Sequence, residues 1–344
     1  MDKAFDKWKT VNKPLGNRRS MKVGIVGVGS MGQNHVRVLS EISEVVGVCD
    51  VNRDAGEKIA AKFKTKFYPD IDQLISSGVE AISIVTPTSA HFETAKTAIE
   101  AGIHTLVEKP ATGSSAKLLE LSKLAESKKI TFAVGFIERH NPVVSFAMKN
   151  LKAGNFGSLI SLHARRVSSF PLRIKDVGVI MDLGVHDIDV IKYLVGSPVI
   201  RVFSAAGRFK NKDFEDHANN IMEFKNGVNG VVEVNWLTPT KMRTIALTCS
   251  DQFIKLDYTA QSIDIFSSQM RDFDPGNLFD LGMELHGRTI NLKKDEPLKR
   301  ELSDFLKACT GGTAPLVTGY DAVETIAIAE AAMKSAMTNQ VVTL

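Results

Sequence analysis

A strand that runs through three spaced glycines into a helix constrains the fold of this chain more than any other feature. In VGIVGVGSMGQNHVRVL (residues 23–39) the glycines follow the pattern GxGxxG. Glycine is needed there when the turn is tight, when the backbone must approach a pyrophosphate, and when helix and strand lie close together. The N–H groups of the helix N-terminus favour phosphate. The segment predicts a dinucleotide site lined by Gly27, Val28, Gly29, Ser30, Met31 and Gly32.

The rest of the chain predicts two domains of different character, as 344 residues exceed the ~250 that one core accommodates. Up to residue 137, β-rich runs such as EVVGVCD and AISIVTP alternate with helical segments, which predicts βαβ units and a parallel sheet. Later runs such as VIRVFSAAGRF and VNGVVEVNWL are joined by short polar turns, typical of antiparallel strands. We therefore predict an α/β fold in which a Rossmann doubly wound parallel sheet (21–140) precedes an α+β domain with an open, largely antiparallel sheet (141–344).

Charge is concentrated at the start of the chain. Residues 1–20 hold six Lys or Arg against two Asp, which accounts for the whole net charge of +4 at pH 7. The neutral remainder argues against a nucleic-acid partner. We interpret this basic N-terminal arm, which lacks the apolar core of a signal peptide, as a dispensable extension or an upstream start rather than as a functional tail.

Two further absences narrow the class of protein. No apolar run approaches the ~20 residues of a transmembrane helix, so we expect no membrane partner. The three cysteines (Cys49, Cys249 and Cys309) are far apart and form neither a disulfide framework nor a CxxC metal motif. We therefore expect free thiols in a reducing cytoplasm, and no metal site.

The second strand ends in an acidic residue that selects the cofactor. Asp50 lies 18 residues after Gly32, where a carboxylate hydrogen-bonds the adenosine ribose hydroxyls. A carboxylate repels a 2′-phosphate, so NAD is favoured over NADP. The nearby Arg53 leaves NADP open, because it could pair with that phosphate or simply be solvated.

Polar residues follow two later strands of the parallel sheet. Thr86 and Pro87 end one strand and His91 lies in the next helix, while Glu108 and Lys109 end another strand before a proline. Ligands of doubly wound folds bind at this carboxyl edge, so we expect all five residues to contact the cofactor. Alternatively, Ser89 and His91 form an ordinary helix start, and Lys109 is a solvated surface lysine.

The segment MDLGVHDIDVIKYL (residues 181–194) carries four polar groups on an otherwise apolar helix. Wound at 3.6 residues per turn, it places Asp182, His186, Asp189 and Tyr193 in one stripe. Burying ionisable groups without partners is costly, so the stripe must be satisfied internally or face a wet cavity. One interpretation is a helix N-terminus with a core histidine, and the other is a functional site.

These motifs together resemble the Gfo/Idh/MocA (glucose-fructose oxidoreductase and inositol dehydrogenase) family. The resemblance rests on GVGSMG, TPTSAH, EKP, GFIERHNP and MDLGVHDID, which cover the chain from Met21 onward in the family's order. It implies an oxidoreductase whose open sheet forms oligomer contacts, either in a homodimer or in a homotetramer. It also implies that Lys109, Asp182 and His186 are catalytic and contact the substrate. An imidazole can take a proton from a secondary alcohol near neutral pH, and an ammonium can stabilise the developing alkoxide; the sequence leaves open which of the two is the base.

Within the family, ERHNP and the segment before the helix look most like enzymes that oxidise the 3-hydroxyl of UDP-N-acetylglucosamine. Arg139, Arg165 and Arg173 are therefore candidate substrate-binding residues, because the arginine fork suits a diphosphate. Strand alternation allows at most one of Arg165 and Arg166 to face the pocket. The alternative is plain surface charge.

Two other functions remain in competition. One is a free polyol or inositol dehydrogenase of the same family. The other is an NAD-sensing regulator without chemistry, which predicts loss of the lysine and histidine; both Lys109 and His186 are present.

Overall fold

Six parallel strands build the first sheet of the computed structural model, which describes residues 20–171, 177–270, 283–311 and 313–344. The arm, apart from its last residue, and Arg173 lie outside the described residues. The elements of this half are β1 Lys22–Val26, α1 Ser30–Ile42, β2 Glu44–Cys49, α2 Arg53–Phe63, β3 Lys66–Tyr68, α3 Ile71–Ser76, β4 Ala81–Ile84, α4 Thr88–Glu100, β5 His104–Glu108, α5 Ser115–Ser127 and β6 Phe132–Gly135.

The strand order β3-β2-β1-β4-β5-β6, parallel throughout, confirms the predicted doubly wound sheet. Val23, Ile25 and Ile84 are fully buried, as expected for strands covered by helices on both faces. Successive strands are added toward one edge of the sheet from β1 to β3 and toward the other edge from β4 to β6, so a crevice opens at the carboxyl ends of β1 and β4. The predicted dinucleotide site lies at that crevice.

A nine-stranded sheet, counted within the described residues, forms the second half. Its elements are a 3₁₀ helix Ile137–His140, α6 Pro142–Lys152, β7 Leu159–Val167, a π-helix Ile180–Gly184, α7 Val185–Val195, β8 Val199–Gly207, β9 His217–Phe224, β10 Asn229–Asn235, β11 Met242–Cys249, β12 Phe253–Asp257, β13 Ser262–Met270, β14 Met283–Asn291, α8 Pro297–Cys309, α9 Gly319–Thr338 and β15 Val342–Thr343.

The strand order is β14-β13-β12-β11-β7-β10-β9-β8-β15, and only the β7–β10 pair is parallel, which confirms a largely antiparallel sheet. Strand alternation gives it two faces. The inner face, with Leu162 and Ala164 buried on β7, packs against α7 and α9. The strands β14 and β15 were not predicted, because Gly287 interrupts the apolar alternation of β14 and β15 has only two residues.

The helix α8 belongs to the second half of the chain but packs against the first sheet. It begins at Pro297, a favourable residue for the first helical turn. Leu298, Leu302 and Phe305 join the core cluster that contains the β1 side chains. The C-terminal part of the chain therefore completes the core of the first sheet.

Candidate active site

The glycine turn between β1 and α1 has the shape that a bound diphosphate requires. Gly27 has a φ of +94°, and a Cβ there would lie 2.6 Å from the carbonyl oxygen of Val85. A Cβ on Gly32 would lie 2.0 Å from the Gly27 carbonyl oxygen, whereas one on Gly29 would meet nothing within 4 Å. The turn thus excludes side chains where strand and helix touch, and it leaves open space beside Gly29 where a ligand can approach the backbone.

The first turn of α1 supplies hydrogen-bond donors to that space. Gly29 is the N-cap residue and offers no side chain to bond the free N–H groups that follow it, which include those of Ser30 and Met31. Such N–H groups and the positive end of the helix dipole bind phosphate. The residues present therefore fit the pyrophosphate of NAD.

Asp50 lies directly beside this turn. Its two carboxylate oxygens accept hydrogen bonds from the backbone N–H groups of Val28 (2.7 Å) and Asn52 (2.8 Å). Each oxygen keeps a second lone pair for a ribose hydroxyl. The side chain of Arg53 is 76% exposed and pairs with Glu57 on the same helix. This arrangement fits an unphosphorylated ribose, as in NAD.

The residues at the end of β4 divide into two groups. The Thr86 hydroxyl is buried without a hydrogen-bond partner among the described residues, and Pro87 caps the N-terminus of α4, so both remain candidates for cofactor contact. His91 is 1% exposed, and its ring nitrogens lie 2.7 Å from the Thr86 carbonyl oxygen and 3.0 Å from that of Pro110. The His91 ring therefore joins the ends of β4 and β5 from the interior, and its expected contact with the cofactor stays a prediction.

The side chain of Glu108 also points into the protein. It lies 3.1 Å from the His35 ring and accepts the backbone N–H of Lys109 at 3.2 Å. His35 in turn contacts the Ser83 hydroxyl at 2.8 Å. The carboxylate of Glu108 thus supports the lysine-bearing turn, and its expected contact with the cofactor stays a prediction.

The next residue, Lys109, brings the two halves of the chain together. Its ammonium nitrogen donates to the Asp182 carboxylate at 2.9 Å and to the Asp182 carbonyl oxygen at 2.8 Å. Both side chains are mostly buried, at 16% and 13% exposed. A charged pair with little solvent around it is strongly oriented. The sequence placed these residues 73 positions apart, and the fold makes them one unit.

Asp182 lies in a π-helical turn, where a continuous α-helix was expected. The turn Ile180–Gly184 leads into α7, and such turns recur at functional sites. Glu215 fixes its start: its carboxylate accepts the Ile180 N–H at 3.1 Å, and its carbonyl oxygen accepts that of Val179 at 3.0 Å. A Cβ on Gly178 would lie 2.1 Å from the same carboxylate, so the glycine makes room for it.

His186 lies one turn further along, 8% exposed, with its ring edge-to-face against Phe136. Its Nδ1 atom is buried and makes no hydrogen bond to any described residue. Burial lowers the pKa of His186 well below its usual 6.5, and the positive charge of Lys109 lowers it further. The imidazole is therefore neutral near pH 7 and able to accept a proton.

Two buried arginines hold α7 in place by hydrogen bonds to its aspartates. Arg166 forms a two-pronged pair with Asp187 (2.6 and 3.1 Å) and also bonds Glu138 at 2.9 Å. Arg139 forms a similar pair with Asp189, with both bonds 2.7 Å long. Asp187 and Glu138 were not predicted as part of the site. The sequence did carry a signal for such pairing. In HDID two acidic residues flank one apolar residue, and a neighbouring predicted strand is rich in arginine.

Of the candidate substrate-binding arginines, the structure describes Arg139 and Arg165, and it does not bring these two together. Arg139 is only 2% exposed, and its bonds to Asp189, Asp321 and the Leu316 carbonyl place it in the interior. Arg165 lies on the outer face of the sheet and pairs with Glu233 at 3.0 Å. The structure therefore places Arg139 in the interior and Arg165 on the outer face, because strand alternation turns Arg166 inward, and their expected contact with the substrate stays a prediction. In the part of the chain that the structure describes, no cluster of His, Cys, Asp or Glu could hold a metal ion, and no helix is apolar and long enough to cross a bilayer.

Comparisons with known proteins agree with this geometry. Residues 21–136 match the oxidoreductase family described as Gfo/Idh/MocA, NAD-binding Rossmann fold, and residues 146–255 match the C-terminal domain of the same family. The first match confirms NAD as the cofactor.

Individual relatives include dehydrogenases of two substrate classes. The chain is 30% identical to UDP-N-acetylglucosamine 3-dehydrogenase of Acidithiobacillus ferrooxidans, over 84% of this chain and 88% of that protein. A solved structure of that enzyme matches with a TM-score of 0.83 and 28% identity, covering 92% of this chain and 98% of the other. The chain is also 26% identical to scyllo-inositol 2-dehydrogenase (NAD(+)) of Bacillus subtilis, over 92% of this chain and 94% of that protein.

Proposed function

The chain belongs to the Gfo/Idh/MocA family of NAD-binding oxidoreductases, and we propose that it oxidises the 3-hydroxyl of UDP-N-acetylglucosamine to the 3-keto sugar. The observation that carries alcohol oxidation is the meeting of Lys109 and Asp182 beside a desolvated His186. The choice of substrate is supported by the relative that is 30% identical over 84% of the chain. We infer that residues 21–140 bind the cofactor and residues 141–344 bind the substrate. The helix α8 is the exception, because it packs against the cofactor-binding half.

In the proposed mechanism the two halves of the chain act on one hydroxyl group. When bound, NAD supplies the acceptor for the hydride. The neutral imidazole of His186 accepts the hydroxyl proton, and the ammonium of Lys109 donates a hydrogen bond to the same oxygen and stabilises its developing negative charge. Asp182 holds the ammonium in place from the other side.

A free polyol is the second candidate substrate. It is favoured by the similarity to the scyllo-inositol dehydrogenase, which covers more of the chain at lower identity. A polyol carries no phosphate, so it would leave any cation at the rim of the pocket without a partner. The two candidates therefore differ in charge as well as in ring chemistry.

Turnover of the purified protein distinguishes them. The protein is incubated with NAD and either UDP-N-acetylglucosamine, N-acetylglucosamine, myo-inositol or scyllo-inositol, and NADH absorbance is followed while mass spectrometry detects loss of two hydrogens from the sugar. We expect turnover of the nucleotide sugar alone, and none by Lys109→Met, which should still bind NAD. Turnover of an inositol without turnover of the nucleotide sugar would show that the proposed substrate is wrong.

The outer face of the nine-stranded sheet supports a homo-oligomer. It exposes the large apolar side chains Phe203, Ile221, Phe253, Phe266 and Leu285, which range from 38% to 75% exposed. Exposed apolar patches mark interaction sites. We propose that this face joins copies of the chain in a homodimer or homotetramer. The three cysteines are free, which supports the reducing cytoplasm as its location.

A further inference from the structure

Two cations have no role in the mechanism above: Lys241, immediately before β11, and Arg243, the second residue of β11. Arg243 is paired in register with Arg166 on β7 and shares the inner face of the sheet with the buried Ile245. The two arginines differ in exposure, because the Arg166 side chain is 1% exposed and that of Arg243 is 33% exposed. Arg243 therefore lies where the inner face opens to solvent.

The guanidinium of Arg243 forms no hydrogen bond and only a long ion pair with the residues that the structure describes. Within the described residues its one ion pair is with Glu138 at 3.7 Å, and it donates no hydrogen bond. Glu138 already accepts a bond of 2.9 Å from Arg166. A guanidinium has five N–H donors in a rigid fork, so most of the hydrogen-bonding capacity of Arg243 is unused.

Charges around the pocket do not balance. The four cations Lys109, Arg166, Arg243 and Lys241 face three carboxylates, of which Asp182 pairs with Lys109, Asp187 with Arg166, and Glu138 with both Arg166 and Arg243. One positive charge therefore remains in excess, and Lys241 forms no ion pair with a described residue. Burial and the charge of Arg166 lower the pKa of Arg243, while the charge of Arg243 is the largest cause that lowers the pKa of Lys241. Clustered like charges of this kind are unfavourable until an anion binds between them.

We propose that Arg243 and Lys241 bind the diphosphate of the nucleotide sugar; this inference rests on the proposed function. The arginine fork matches phosphate oxygens in pairs, and lysine adds a point charge beside it. The site opens toward the catalytic groups, since Arg243 interacts electrostatically with both His186 and Asp182. This pair takes the role that the sequence suggested for Arg165, from the opposite face of the same sheet.

Calorimetry on the NAD-saturated protein tests the site, because bound NAD occupies the glycine turn that could otherwise hold a diphosphate. The probes are UDP, uridine and inorganic pyrophosphate. We expect Arg243→Gln to weaken UDP and pyrophosphate binding roughly 10- to 100-fold, the effect of one charge-assisted pair, and to leave uridine binding unchanged. Lys241→Gln, at an exposed position that should not disturb folding, is expected to weaken both several-fold. Arg165→Gln is the matched control on the outer face and should bind all three probes as the wild type does.

The outcomes separate this inference from the proposed function. If the wild type oxidises the nucleotide sugar and both β11 variants bind UDP normally, the diphosphate lies elsewhere and the inference is wrong. If the wild type binds pyrophosphate in a manner that Arg243→Gln abolishes, yet oxidises no nucleotide sugar, the anion site stands and the proposed substrate fails. If Arg165→Gln alone binds UDP and pyrophosphate more weakly than the wild type, the diphosphate site lies on the outer face and the inference is wrong.

Discussion

Replacing Arg139 by Met tests whether this residue belongs to the interior or to the substrate site. The substitution removes two bonds of 2.7 Å to Asp189 and leaves that carboxylate, 0% exposed, with the Thr325 hydroxyl at 3.1 Å as its remaining side-chain partner among the described residues. Breaking a buried ion pair by removing one partner costs about 3–5 kcal/mol. For a protein of this size, with an unfolding entropy of about 2.1 cal/mol/K per residue, such a loss lowers the melting temperature by roughly 4–7 °C.

Thermal and urea unfolding, followed by circular dichroism, measure this loss. The matched control is Arg201→Met, which removes an exposed pair with Glu223 and should cost about 0–1 kcal/mol. The double variant Arg139→Met, Asp189→Leu removes both buried charges and should recover part of the lost stability. If Arg139→Met unfolds like the control and instead raises the KM for the sugar, then Arg139 is a ligand-binding residue and our assignment to the interior is wrong.

Three further predictions concern acid stability, catalysis and assembly. Burial, together with the nearby charges of Arg300 and Arg139, lowers the pKa of His140 from the usual 6.5 to about 4. Below pH 6.5 the unfolded chain therefore binds a proton that the folded chain does not. The free energy of unfolding falls by about 3 kcal/mol as the pH is lowered to 4. Urea titrations across this range should give a shallower slope for His140→Asn, and an unchanged slope would refute the assignment. The variant His186→Gln should have a kcat reduced by roughly 10²–10⁴-fold and an unchanged affinity for NAD. The kcat/KM of the wild type should fall only well below pH 6.5, because burial and the charge of Lys109 lower the pKa of this base. A fall of kcat/KM that begins at or above pH 6.5 would contradict this. Substituting Phe253 and Phe266, whose rings are in contact on the outer face, by Lys should yield monomers in light scattering, whereas an unchanged mass would place the interface elsewhere.

Much of the cofactor half could be predicted because its signals are local. Gly27 and Gly32 are imposed by backbone geometry within one turn, Gly29 leaves space for a ligand beside them, and Asp50 follows at a spacing set by one βαβ unit. The orientations of the His91 and Glu108 side chains could not be predicted, because a sequence shows that a residue ends a strand or begins a helix, but not which way its side chain points. Their partners, the Pro110 carbonyl oxygen and His35, come from other elements.

The catalytic half depended on resemblance and was harder to predict. The polar residues of α7 were visible in the sequence, but a period of 3.6 missed the π-helical turn that carries Asp182. Arg165 and Arg166 differ by one position, and register alone turned one outward to Glu233 and the other inward to Asp187. Arg243 gave no signal in its own segment, because its significance comes from the strand that lies next to it.

The sequence by itself determined the two-part architecture, the parallel sheet and the dinucleotide turn, since strand and helix periodicity and glycine geometry act over a few residues. Tertiary structure decided which charges neutralise one another. Lys109 meets Asp182 from 73 positions away, and Arg139 and Arg166 are occupied by partners on α7. Ion pairing depends on the inverse of distance and on exclusion of water, and both are set only when distant segments pack together.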